Sequence, residues 1–161
     1  MNSIFLALEQ LRTQLSQALP ATPGIRHFDV SFPLNDAFDP LAWLGAQQCY
    51  PQFYWQQRNG DEELAALGAV IIFSSLALAT QFLREQNAPG DTRICGLNAF
   101  NPEQGSLFLP RLFWRRTAGT ATLRLQLWSD YSLQEDAHAA RDFLQQLQPA
   151  RPIRPLAVQV E

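Results

Sequence analysis

The chain has 161 residues, 47% of them apolar and 17% charged, which is enough for one globular domain with its own core and too short for two. Its formal net charge of -3 argues against a nucleic-acid partner, because a phosphate backbone calls for a basic face. All twelve basic residues are arginines, and the two cysteines, Cys49 and Cys95, lie outside any CxxC spacing, so buried free thiols are expected rather than a bridge or a zinc site.

The opening MNSIFLALEQLRTQL has no basic n-region, and Glu9 and Arg12 interrupt its apolar run. It therefore reads as neither a signal peptide nor a membrane span, and a cytoplasmic location without a membrane partner is expected. Ile4, Leu8, Leu11 and Leu15 recur at helical spacing between Ser3, a candidate N-cap, and Pro20. Arg26–Phe32 alternates, with Phe28, Val30 and Phe32 on one side of a half-buried strand. Asp39-Pro40 opens a short helix to about Gln48, with Phe38 and Trp43 placed to staple its start.

The densest aromatic run, Phe53-Tyr54-Trp55, is followed by Asn59-Gly60 and then by apolar Leu64–Phe73. This pattern predicts a β-hairpin with a two-residue turn, its second strand covered on both faces, at the centre of the sheet. Ser74 or Ser75 caps a helix bearing Leu76, Ala79, Phe82 and Leu83. Thr92–Phe100 is a strand candidate, Asn101–Gly105 a turn, and Leu107–Arg116 a strand in which Pro110 marks an edge or a bulge. Ala118-Gly119 turns into Thr120–Trp128, where Leu123, Leu125 and Leu127 alternate with polar residues. Ser132-Leu133-Gln134-Glu135 is a capping box for a helix striped by Leu133, Ala137, Ala140, Leu144 and Leu147. Pro149, Pro152 and Pro155 form a stiff linker before a new alternation at Leu156–Val160, which reads as an interrupted strand. The expected fold is α+β, a mostly antiparallel sheet with helices packed on it, divided into a scaffold over residues 1–148 and a linker over 149–161.

Candidate chemistry is sparse. Asp61-Glu62-Glu63 could hold Mg²⁺, but adjacent strand residues point to alternate faces, so a solvated hairpin end is expected. His27 and His138 have no ligand spacing to each other or to Cys49 or Cys95, which leaves a cysteine–histidine dyad unsupported. Arg111, Arg115 and Arg116 could gather an anion, although beside Trp114 they read as the outward side of a strand pair. No residue of this chain is therefore expected to be catalytic, cofactor-binding or metal-binding.

Five segments in order resemble the N-terminal part of the menaquinone-pathway isochorismate synthases: ATPGIR (Ala21–Arg26), FPLNDAFDPLAWL (Phe32–Leu44), YPQFYWQQRNGDEE (Tyr50–Glu63), GLNAFNP (Gly96–Pro102) and LPRLFWRR (Leu109–Arg116). The resemblance implies the fold shared by chorismate-utilising enzymes, including anthranilate synthase component I. It also implies a Mg²⁺-dependent isomerase in which glutamates hold the metal, a lysine activates water and a glutamate protonates the departing hydroxyl. No position here matches those motifs. A general base must release its proton near working pH, which a desolvated lysine does and arginine does not. The expectation is a scaffold that is inactive alone, binds chorismate only with a missing C-terminal catalytic half, and covers its docking surface by joining that half or by self-association. The alternative is a non-catalytic binding module on the same scaffold, or the same part of another chorismate-utilising enzyme.

Overall fold

The computed structural model describes residues 3–17, 19–33, 38–96 and 107–147. Ten elements follow in order: α1 (Ser3–Leu15), β1 (Gly24–Pro33), α2 (Pro40–Gly45), β2 (Gln52–Gln56), β3 (Glu62–Phe73), α3 (Leu76–Glu85), β4 (Cys95–Gly96), β5 (Leu107–Thr117), β6 (Thr120–Ser129) and α4 (Leu133–Gln145). The α+β expectation holds: every strand pairing is antiparallel, in the order β1-β6-β5-β3-β2, with β4 beside β5. The proposed turn at Asn101–Gly105, residues 97–100 of the Thr92–Phe100 strand candidate, and the stretch from Pro149 to Val160 fall outside the described residues; in the described part of that candidate only Cys95–Gly96 is strand. Among the described residues no helix is long and apolar enough to cross a membrane.

One face of the sheet carries the main core. Leu67, Leu112, Trp114, Leu123, Leu125 and Leu127 meet Leu11 and Leu15 of α1, Trp43 of α2 and Leu133, Ala140 and Leu144 of α4. Local caps hold the helices in place. Asp39 accepts from the amides of Leu41 and Ala42, and Phe38 packs on Trp43 with ring centroids 6.0 Å apart, the staple expected there. Ser75 caps α3 through the Leu78 amide, and Ser132 caps α4 through the Glu135 amide. Leu76, expected on the buried side of α3, is 70% exposed, while Ala79 and Phe82 make the contact with Phe73 and Leu109.

Three strand expectations need correction. The Phe53–Phe73 hairpin lies at the edge of the sheet, and the central strand is β5, buried from Phe108 to Trp114. Of the two readings of Pro110, edge or bulge, the structure bears out the bulge. It sits where β3 shifts register between Ala69 and Ile71 and where the β6 ladder has yet to begin, at Leu112, so the missing N–H falls in a gap between ladders. The β2–β3 connection is also longer than two residues: Gly60 donates to Gln57 O (2.8 Å), Gln57 donates to Glu62 O (2.8 Å), and only Gly60 takes positive φ (+81°). The two-residue turn with both φ positive joins β5 to β6 instead, at Ala118 (+48°) and Gly119 (+81°), with Thr117 opposite Thr120. Finally, β3 is covered on both faces only over Leu64–Gly68, and Ile72 near its end is 60% exposed.

Candidate functional site

The sheet face opposite α1 and α4 carries a polar concavity of about 220 Å³, lined by Asp29 and Ser31 of β1, Thr122 and Arg124 of β6, Phe113 and Arg115 of β5, and Asp91 and Arg93 from the segment before β4. Period-two alternation builds it. The residues between these on β5 and β6 turn to the helical face as Trp114 and Leu123, which leaves their neighbours to line the open one.

Its charges are already matched within the chain. Arg124 grips Asp29 with Nε and Nη2 (2.8 and 2.9 Å) and reaches Asp91 at 2.7 Å. These bonds favour the charged guanidinium and hold the Asp91 carboxyl below its ordinary range. Arg115 donates to Glu62 at 2.5 Å, and Arg93 lies 3.7 Å from the same carboxylate. Three arginines thus face three carboxylates, and an anionic ligand would have to displace one of these pairs.

On the other face of the hairpin end, Arg116 Nε donates to Glu63 (3.0 Å) and its Nη2 to Gly60 O (3.0 Å), while the Tyr54 hydroxyl also binds Glu63. Burial, followed by that bond and charge, pushes the Tyr54 phenol up to about 12. The expected solvated end of Asp61-Glu62-Glu63 is therefore corrected: Glu62 and Glu63 are tied to arginines on opposite faces. A Mg²⁺ ion asks for convergent oxygens in near-octahedral array, and these carboxylates do not supply one. Among the described residues no group of three or more His, Cys, Asp or Glu side chains is placed to hold a metal ion.

The other sequence candidates are dispersed. Arg111 does not join Arg115 and Arg116 but turns to α4, binding both Asp136 oxygens (2.7 and 3.0 Å) and Gln126 O (3.0 Å). Cys95 lies with Leu64, Ala66, Phe108 and Phe113, and burial pushes its thiol up to about 12, so it stays protonated. Cys49 is a half-buried free thiol, raised by desolvation, and His138 is exposed on α4. His27 Nε2 lies 3.9 Å from Asp29. Sequence reasoning did not single out Asp29, Asp91 or Arg124. Asp29 and Arg124 were visible as outward residues of their strands, and what was missing was the β1–β6 register that sets them opposite each other.

The chain is thus an antiparallel sheet with α1, α2 and α4 on one face, α3 packed through Phe82 on Trp128 of the other, and on that second face a polar concavity whose charges are paired within the chain. No family model matches the chain. It is 58% identical over 153 residues to the isochorismate synthase MenF of Escherichia coli K12, covering 95% of this chain and 36% of that protein. It is also 40% identical over 90 residues to MenF of Haemophilus influenzae and 38% over 89 residues to MenF of Pasteurella multocida, each covering 55% of this chain. The solved structure of the menaquinone-specific isochorismate synthase of E. coli superposes with a TM-score of 0.90 at 57% identity, over 95% of this chain and 36% of that one. The chain thus corresponds to the N-terminal part of the E. coli isochorismate synthase it resembles, and spans about a third of that relative's length.

Proposed function

We propose that this chain serves as the N-terminal scaffold of an isochorismate synthase, which isomerises chorismate to isochorismate with Mg²⁺ on the way to menaquinone. The carrying observation is the match itself, which takes in 95% of this chain and leaves most of the relative outside it. Two features support inactivity of the chain alone. It has no lysine to act as general base, and the carboxylates of its open face are engaged by Arg93, Arg115 and Arg124. On this reading the catalytic lysine, the metal-binding glutamates and the proton donor come from the remaining two-thirds of the family's chain. Docking or self-association covers the apolar surface left at Ile72, Leu76 and Leu78.

Incubation with chorismate and Mg²⁺, followed by chromatography, is expected to give no isochorismate above the protein-free control. Adding the separately expressed remainder of the E. coli relative should restore turnover. Product from this chain unaided would overturn the proposal.

A further inference from the structure

The connection from α3 to β4 crosses the second face of the sheet. Its Asp91 accepts from Arg124 of β6, and its Arg93 lies 3.7 Å from Glu62 of β3. Strand β5 runs between β6 and β3, so the connection is anchored on both sides of β5 and passes over it. Phe113 of β5 lines the hollow at these anchors. Two residues past Arg93, Cys95 packs with that same Phe113 and with Leu64 and Ala66.

Charge is the main tie. On the α3 side Ala88 donates to Leu83 O at 3.0 Å, and on the other side Cys95 and Gly96 pair with β5. Between these points Thr92 bonds only inward, to Pro89 O (3.0 Å), and Ile94 adds one apolar contact. Among the described residues, no backbone–backbone hydrogen bond joins residues 89–94 to the sheet. Both anchoring side chains, Asp91 and Arg93, are exposed, the setting in which an ion pair holds least and salt screens it most. With β4 only two residues long, a crossing set free takes Cys95 with it.

We propose that residues 89–95 form an electrostatic lid over Phe113 and the polar concavity. The Asp91–Arg124 and Arg93–Glu62 pairs hold it shut at low ionic strength, and screening or removing them opens the face and uncovers Cys95. This goes beyond the scaffold role and rests on the strand order and the two pairs, not on the chemistry of the parent enzyme.

Cys95 reports the lid, because shut it is buried and its thiol stays protonated, and a thiol reacts as the thiolate. The test follows N-ethylmaleimide labelling by intact mass on Cys49→Ser, which leaves Cys95 the one thiol, with rates taken relative to glutathione in the same buffers. Between 20 mM and 1 M NaCl the rate is expected to rise at least about threefold, as two exposed ion pairs allow. Adding Asp91→Asn should raise the low-salt rate by a similar factor and remove most of the salt response. Hydrogen exchange of β5 and β6 should stay unchanged throughout, which separates lid opening from unfolding. A rate indifferent to salt would overturn the proposal, as would a salt response that survives intact in Asp91→Asn. Labelling that quickens only when β5 and β6 lose protection would overturn it too, since the thiol would then be reached through unfolding.

Discussion

Arg111 and Asp136 meet where both charges have left water, so their worth depends on every donor and acceptor finding a partner. Both Asp136 oxygens accept from Arg111, one of them also accepts the Trp128 amide (2.9 Å), and the remaining Arg111 donation goes to Gln126 O. Asp136→Ala strands a buried guanidinium and is expected to cost about 3–5 kcal/mol in urea unfolding, whereas the apolar pair Arg111→Met with Asp136→Leu should recover most of that loss. Ala118 presents the opposite case, since a Cβ at φ +48° is strained and Asn tolerates that region better. Ala118→Asn is expected to raise stability by roughly 0.5–1 kcal/mol, seen as a higher urea midpoint with an unchanged slope.

The bond from Arg124 lowers the Asp91 pKa in the folded state. Its contribution is therefore complete above the unfolded carboxylate value, about 3.9, and is lost as pH falls through the lower folded value. Asp91→Asn should thus narrow the difference from wild type only in acid. Because the Asp91 side chain is 63% exposed, that difference should shrink further in salt.

Among the elements, the helices were readable because their signals are local. Asp39-Pro40, Ser75 and Ser132 each bond amides two or three residues away, and such bonds need no knowledge of the rest of the molecule. Strand alternation was equally visible in β1 and β6. Strand order was not, because a long apolar run such as Leu64–Phe73 looks the same at the centre of a sheet as one place from its edge. Gly68 shows the same limit. Nothing beside it in sequence marks it, yet φ +74° and the Phe143 ring leave no room for a side chain. Gly68→Ala is expected to cost at least about 2 kcal/mol, combining left-handed strain with displacement of Phe143. Trypsin cleavage near Arg141 should quicken in parallel, because the end of α4 would lift from β3.

At the scale of the whole molecule, the chain's part in a larger protein was legible through YPQFYWQQRNGDEE, while the open face was not, since its ion pairs join residues as distant in sequence as Asp29 and Arg124. The main core runs over three helices and four strands, with Tyr54 of β2 packed against it. The apolar residues left outside that core, Ile72, Leu76 and Leu78 among them, give it something to gain from a partner. If the remainder of an isochorismate synthase docks on the folded chain, it binds the native state and not the unfolded one, so the gain follows mass action. At a hundred times the dissociation constant this amounts to about 2.7 kcal/mol. For a domain of this size that is a rise in Tm of roughly 5–10 °C. Differential scanning calorimetry of the chain, titrated with the separately expressed remainder, should show this rise growing with the logarithm of its concentration. A finished binding module would instead melt at one temperature throughout the titration and run as a monomer in light scattering.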